Sequence, residues 1–297
     1  MSDVVAVRTF EEIEASAAAA AEQRRQRRYL TRALLHSPTF VVGCGIVVFW
    51  ILMAVFSTRL TADPNAVNPL HALAPPSGAH LFGTDDLGRD VFARTLAGAR
   101  PVLIIAPMAT ALALIWGSLI GLVSGYYRGL IDDVIMRIVD VLLSVPTLIM
   151  AILVISLLGK SVGIVILVIA ILFTPLVART VRSAAMGEAE REYVLAARLR
   201  GERSLFIMAR EVLPNITGPI IVEGTVRLGY AVFTAATISF LGFGLEPPSP
   251  DWGLTISQER GFLQIAWWTV MFAGIALASL VVAVNLISDG LHRVLSR

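Results

Sequence analysis

Residues capable of chemistry are few in this 297-residue chain, and their spacing does not assemble a reaction centre. Gly159-Lys160-Ser161 has the ending of a phosphate-binding loop, in which backbone amides and a lysine cradle phosphate oxygens. The glycine which that loop requires upstream is Val154, and no strand pattern precedes it, so ATP is not expected to bind here. Gly159 to Gly163 also spells G-x-S-x-G, whose serine is a nucleophile only on a strand-to-helix elbow with a histidine partner. Here it joins two apolar segments, which argues against a hydrolase. His36, His71, His80 and His292 lack the i,i+4 or carboxylate spacing of a zinc site, and Cys44 is the single cysteine. Catalytic residues, a resident metal and a cofactor in this chain are therefore not expected.

Two polar segments hold the remaining candidates. Arg59 to Gly98 is rich in Pro, Asn and Asp and contains H-L-F-G-T-D-D-L-G-R-D-V-F-A-R. Gly83 and Gly88 allow tight backbone geometry around Thr84, while Asp85, Asp86, Arg89 and Asp90 can form an ion-pair and hydrogen-bond cluster. Such a cluster either ties the flanking helices together as a folded-back cap or takes part in gating. The second segment, Ala178 to Gly218, carries Y-V-L-A-A-R-L-R-G-E-R-S and then R-E-V-L-P-N. It predicts two short amphipathic helices, Glu188 to Arg200 and Ser204 to Leu213, separated by Gly201 and stopped by Pro214. Around Tyr193 and Leu195, the Ala196-Ala197 pair and Gly201 leave a surface of little bulk, suited to insertion into a groove on a second protein. A docking element fits these residues better than a linker.

The elements that must position these segments cross a membrane. The chain is 56% hydrophobic, its mean hydropathy is +0.77, and its apolar residues collect in blocks of about twenty, the length that crosses a ~30 Å hydrocarbon core. Six stretches approach that length: Thr39 to Ser57, Pro101 to Tyr126, Val139 to Leu158, Val162 to Ala178, Pro219 to Leu241 and Ile265 to Ile287. Arginines concentrate in the segments that lie on one side if the N-terminus is inside, and positive charge in short loops marks the cytoplasmic face. The sequence thus predicts an all-α integral membrane protein with six spans and both termini cytoplasmic. Residues 1–37 read as a cytoplasmic helical tail, with arginines facing anionic headgroups rather than forming a cleaved signal. Residues 38–297 form the transmembrane domain, with an outer segment at 59–100, a cytoplasmic loop at 179–217 and an outer loop at 243–264. The lipid bilayer is an expected partner and nucleic acid is not.

Within the spans, Gly117, Gly121 and Gly125 line one helix face and predict close helix packing, although glycine can also mark a flexible gate. Asp133 and Arg137 are spaced as an i,i+4 pair, as are Glu223 and Arg227. Asp140 is left over, either functional within the membrane or paired with Arg137. The loop I-S-F-L-G-F-G-L-E-P-P-S-P-D-W-G contains Gly242, Gly244 and Pro247. Ser239 to Gly244 either lines the mouth of a pathway or packs as a re-entrant turn, and Trp252, Trp267 and Trp268 suit an interfacial aromatic belt.

Taken together, G-T-D-D-L-G-R-D, A-A-x-x-x-G…L-P-N, F-L-G-F-G-L-E-P-P-S-P-D-W-G and N-L-I-S-D-G-L (Asn285 to Leu291) resemble the dipeptide/oligopeptide/nickel class of ABC-importer permeases, specifically the second permease of the pair. The match runs from about Thr39 to the C-terminus. Leu195 stands where that family has glutamate before Ala-Ala, and Glu211 occupies the run where a histidine usually precedes Leu-Pro. The resemblance implies a six-helix type I transmembrane domain in the bacterial cell membrane, paired with a homologous second permease. It also implies two cytoplasmic ATPase subunits that bind ATP and Mg, and an external substrate-binding protein. On this resemblance Tyr193, Leu195, Ala196, Ala197, Gly201, Leu213 and Pro214 contact the ATPase, and peptides are the commonest cargo. An ion-gradient transporter and a membrane scaffold are the rival classes; the former would show repeated halves and mid-membrane charges.

Overall fold

The structure is a computed structural model that describes residues 33–295; most of the tail expected at 1–37 lies outside the described residues. The described chain is helical throughout, with only an isolated bridge between Thr84 and Asp90. α1 (Pro38–Leu60) starts with proline in its first turn, where the missing N–H has no helical acceptor to lose. A long connection then folds back to α2 (Val91–Ala97), capped by Asp90 accepting from the Ala93 N–H at 2.8 Å. α2 runs almost directly into α3 (Ala99–Tyr127), which is followed by α4 (Gly129–Ser144), α5 (Thr147–Leu158) and α6 (Val162–Glu188). Short helices α7 (Glu192–Leu199), α8 (Ser204–Ile207) and α9 (Leu213–Asn215) lead into α10 (Thr217–Phe240); α11 (Trp252–Glu259) and α12 (Trp268–Leu295) complete the chain.

By length and composition, α1, the continuous α2–α3 stretch, α6 and α12 can each cross a membrane, and two bent pairs raise the number to six if each pair counts as one span. One bent pair corrects the third apolar stretch. Val139 to Leu158 is not a single helix, because α4 and α5 meet at 87° around Pro146. Pro146 offers no N–H and pushes Val145 out of the helical region, to φ −88° and ψ 129°. The fourth stretch is longer than expected, since α6 continues beyond Ala178 to Glu188 through Pro175.

The glycine stripe is the bundle's main seam. A Cβ at Gly117 would lie 2.5 Å from that of Val177, one at Gly121 would lie 2.5 Å from the Ala178 carbonyl, and one at Gly125 would lie 2.7 Å from that of Arg182. α3 and α6 therefore touch backbone to backbone along three turns, as the spacing predicts, and this is packing rather than a hinge. A large core (Val102, Ile105, Ala109, Ile169, Phe173, Ile238, Leu280) fills the space between α3, α6, α10 and α12. Trp50 of α1 meets Trp252 of α11 edge to face at 4.8 Å. A second cluster (Leu122, Tyr126, Val181, Val194, Ile207, Val212) lies beneath the short helices α7–α9.

Candidate functional site

The polar segments sit at opposite ends of α3, here called the cap end and the knob end. At the cap end, Gly88 adopts φ +74°, and a Cβ there would fall 1.9 Å from the Asn68 carbonyl, so only glycine closes this turn. The turn wraps around Asp85, whose Oδ1 accepts the N–H groups of Leu87 (3.0 Å) and Arg89 (2.8 Å), while Oδ2 takes the Arg89 Nε at 2.6 Å. Thr84 and Gly83 complete the wall: Thr84 Oγ1 accepts the Ala74 N–H at 2.8 Å, and Trp268 Nε1 donates to the Thr84 carbonyl at 3.1 Å. Asp90 stands apart from the Asp85–Arg89 pair. It caps α2 and holds His80 Nδ1 at 2.8 Å.

Arg94, the last residue of the H-L-F-G-T-D-D-L-G-R-D-V-F-A-R run, is the residue to which sequence reasoning gave no role. It is 2% exposed and donates to the carbonyls of Pro64 (3.2 Å), Pro248 (3.4 Å) and Ser249 (3.2 Å) and to Asn65 Oδ1 (3.2 Å), with its Nε 3.6 Å from Asp85. One guanidinium thus ties the 59–90 connection to the Pro247–Pro250 loop. That loop is held further by Trp252, fully buried, whose Nε1 donates to the Thr95 carbonyl at 2.8 Å. Asp251 caps α11 through the Leu254 N–H at 2.9 Å, and burial pushes its carboxyl up from the ordinary range. Trp252 and Trp268 are therefore structural donors within the protein, and of the three tryptophans assigned to an interfacial belt only Trp267 is exposed. Gly242 takes φ +85° at the end of α10, and Gly244 packs onto Ser239, with a Cβ only 2.0 Å from its Oγ. The Ser239–Gly244 stretch thus packs as a turn.

At the knob end the expected pair of helices exists with different ends. The first is α7, shorter than Glu188 to Arg200 because Glu188 belongs to α6. The second does not stop at Pro214: α8, a π-helical turn at Met208–Val212 and α9 run on to Asn215, and the 66° bend follows at Ile216. Pro214 occupies the first turn of α9, where a proline is tolerated. Gly201 ends α7's turn at φ +76°, with open space around it. α7 divides its residues cleanly: Val194 and Ala197 are buried, while Tyr193, Leu195, Ala196 and Leu199 face outward. Leu199 is 89% exposed and Leu205 75%, with Phe206 beside them, so the knob presents apolar side chains to the outside. Leu213 packs inward onto the cluster beneath.

Polar contacts hold the knob to the bundle. The Tyr193 hydroxyl donates to Glu188 and accepts from Asn215 Nδ2 at 2.9 Å; burial, and next Glu188, push its pKa up to about 12. Arg198 lies over the Tyr126 ring at 4.5 Å, and Arg128 donates to Glu190 at 2.6 Å, so α7 and its approach are fastened to the end of α3. Asp140 pairs with Arg179 of α6, not with Arg137, and is 57% exposed. The Asp133–Arg137 bridge does not form among the described residues; Asp132 instead meets Arg182 and Ser124. The helix turn places Asp132, not Asp133, towards α6, where Arg182 offers two donors. Glu223–Arg227 forms as the spacing predicts, at 2.5 Å. Gly159 ends α5 at φ +92°, and Ser161 caps α6 through the Ile164 N–H at 3.2 Å, so the Gly-Lys-Ser triplet is a turn between helices.

A helical bundle with four helices, or up to six spans, long and apolar enough to cross a membrane, capped at one end and carrying an apolar knob at the other, is the architecture of an integral membrane protein. Residues 117–297 match the family described as binding-protein-dependent transport system inner membrane component, and the chain belongs to that family. It is 41% identical over 253 residues to the dipeptide transport system permease protein DppC of Alkalihalophilus pseudofirmus, covering 85% of this chain and 83% of that one. It is 36% identical over 281 residues to the probable D,D-dipeptide transport system permease protein DdpC of Escherichia coli, covering 93% and 94%. The di/tripeptide transport system permease protein DppC of Pseudomonas aeruginosa is 36% identical over 268 residues, covering 88% of each.

Proposed function

We propose that this chain is the membrane-spanning permease subunit of an ATP-driven importer of di- or oligopeptides, forming half of the translocation pathway. The relatives named as dipeptide and di/tripeptide permeases support the cargo class, and neither an ion-gradient transporter nor a scaffold is favoured. The observation that carries the mechanism is the knob: two short helices with exposed Leu195, Leu199, Leu205 and Phe206, set on a buried apolar cluster between two long helices. In this reading the knob end is cytoplasmic and both termini lie there, giving six spans when each bent pair counts as one. Of two ATPase subunits, which bind ATP and Mg, one docks on Tyr193 to Pro214; a homologous permease completes the pathway; and an external binding protein delivers the peptide at the cap end.

The geometry offers a route for coupling. α3 has 29 residues and so extends about 43 Å, from the knob contacts at Tyr126 and Arg128 to the cap beside Arg94. Zipped to α6 by its glycine stripe, it moves as one body with it. ATP-driven closure of the ATPases displaces the knob, and the α3–α6 pair passes that displacement to the cap end, biasing a two-state bundle. Chemistry is confined to the partner subunits, and this chain positions and moves.

The test is co-expression with the neighbouring transport genes, followed by purification in mild detergent and an ATPase assay. A second permease and two ATPases that co-purify, with peptide-stimulated hydrolysis lost in Gly201→Glu, are expected. A chain that purifies alone with no associated ATPase activity overturns the coupling role.

A further inference from the structure

Glu259 ends α11 with 1% of its surface exposed, and neither carboxyl oxygen has a hydrogen-bond partner of ordinary geometry, although the Asp86 N–H faces it. Its neighbours are two other acids, since ligand oxygens of Asp85, Asp86 and Glu259 all lie within 4.8 Å of one another. Asp86 Oδ1 is likewise buried without a hydrogen-bond partner, although the residue as a whole is partly open to solvent. The charged groups around Glu259 are Asp85, Asp86 and Arg89 of the 84–90 turn and Arg94 of α2; Arg260, next in sequence, turns away to stack on Phe240 at 5.6 Å.

The charges of this cluster do not balance as drawn. Three carboxylates, Asp85, Asp86 and Glu259, face two guanidiniums, Arg89 and Arg94, which leaves one negative charge in excess. Asp85 is already satisfied by two amides and Arg89, and Arg89 Nη2 stands only 3.6 Å from Asp86 Oδ1, so the excess rests on Asp86 and Glu259, which have no side-chain donor between them. With Glu259 enclosed and a second carboxyl beside it, ionisation of both is strongly disfavoured. One proton restores neutrality and supplies the missing donor. A divalent cation would overshoot to a net positive cluster and would have to draw on Asp85 oxygens that are already engaged.

We propose that Glu259 and Asp86 share one proton, which latches α11 to the 84–90 turn and makes closure of the cap end depend on protonation. Burial, then the Asp86 and Asp85 carboxyls, push Glu259 up to about 8, against an ordinary value of 4.5. The sign follows: a carboxyl raised in the folded state contributes stability that is complete below 4.5 and is lost as pH rises through about 8. At neutral pH the latch is closed. In alkaline medium the second charge appears, and the two elements repel each other. The inference concerns the cap alone and does not depend on the transport role.

The test is infrared difference spectroscopy of the intact complex in lipid nanodiscs, titrated from neutral to alkaline pH. A protonated-carboxyl band present at neutral pH, lost around the value above, and absent in Glu259→Gln is expected. Asp86→Asn offers Glu259 an amide donor and is expected to move the loss of the band to lower pH. Melting midpoints give an independent readout: the wild-type midpoint declines relative to that of Glu259→Gln as pH rises, because the glutamine keeps a neutral donor at every pH. A band that survives in Glu259→Gln, or no band at neutral pH, overturns the shared proton. So does a wild-type midpoint raised by calcium chloride and lowered by EDTA at neutral pH with no such response in Glu259→Gln, since the site would then hold a metal.

Discussion

The two ends of α3 are built from opposite materials. The cap end is held by buried charge and directional hydrogen bonds, with Asp85, Arg89 and Arg94 all nearly inaccessible. The knob end rests on an apolar cluster, is fastened by exposed polar contacts, and turns further apolar side chains outward. Buried ion pairs resist the loss of a partner by several kcal/mol because they leave an uncompensated charge, whereas exposed pairs contribute about 1 kcal/mol or less. One end is thus built to keep its shape. The other turns an apolar surface outward and is fastened by contacts weak enough to rearrange.

That contrast can be broken most forcefully at Asp85. Asp85→Ala strands Arg89 and Arg94 in the cap and is expected to cost about 3–5 kcal/mol, read as a large drop in the melting temperature of the purified complex. An unchanged melting temperature would mean that the cap is not the rigid end. Gly121→Leu comes next, because its side chain must displace the Ala178 carbonyl at 2.5 Å and pry α3 from α6. Overpacking of this kind costs roughly 1–3 kcal/mol, and it is expected to reduce uptake by more than stability, since it loosens the rod that joins the ends.

At the knob, Gly201→Glu meets no neighbour but must hold φ +76°, a penalty of about 1–2 kcal/mol. Loss of coupled uptake with a melting temperature lowered by only a few degrees is expected; a collapse of both would remove the contrast. Tyr193→Phe is the mildest change, deleting a hydroxyl shared by Glu188 and Asn215 for about 1 kcal/mol or less. It also offers a spectroscopic check. Ultraviolet titration of the wild type is expected to show one tyrosine that ionises only near pH 12 and is missing in the variant.

Much of this was legible in the residues. Glycine spacing at 117, 121 and 125 predicts close packing because small residues matter only where another backbone arrives, and α6 duly arrives there. The turn around Asp85 is likewise local, since Gly88 and Arg89 lie within five residues of it. What was not legible depends on distant partners. Asp140 finds Arg179, and Arg94 finds Pro248 and Ser249, across separations that no periodic pattern encodes. Glu259 had a signal, an acid close to an apolar segment, but its neighbours Asp85 and Asp86 lie on another part of the chain. Tryptophans mislead for a related reason: the residue type suits an interface, but the indole N–H of Trp252 and Trp268 found carbonyl acceptors inside the protein. The helix end at 214 shifted because Pro214 falls in the first turn of α9, where its missing N–H costs little, and the start at 188 shifted because α6 runs on to that residue.

The break at Pro146 carries an obligation of its own. Counted as one span, the bent pair α4–α5 brings the turn at 144–147 into the hydrocarbon, because the twelve residues of α5 rise about 18 Å, short of a ~30 Å core. Of the last four carbonyls of α4, that of Val141 accepts the Ser144 hydroxyl at 2.7 Å, while those of residues 142–144 lack helical donors. Bilayers do not tolerate such bare main chain unless protein or water covers it. A chain that crosses the bilayer there needs protein or water against residues 142–144 to complete its hydrogen bonding.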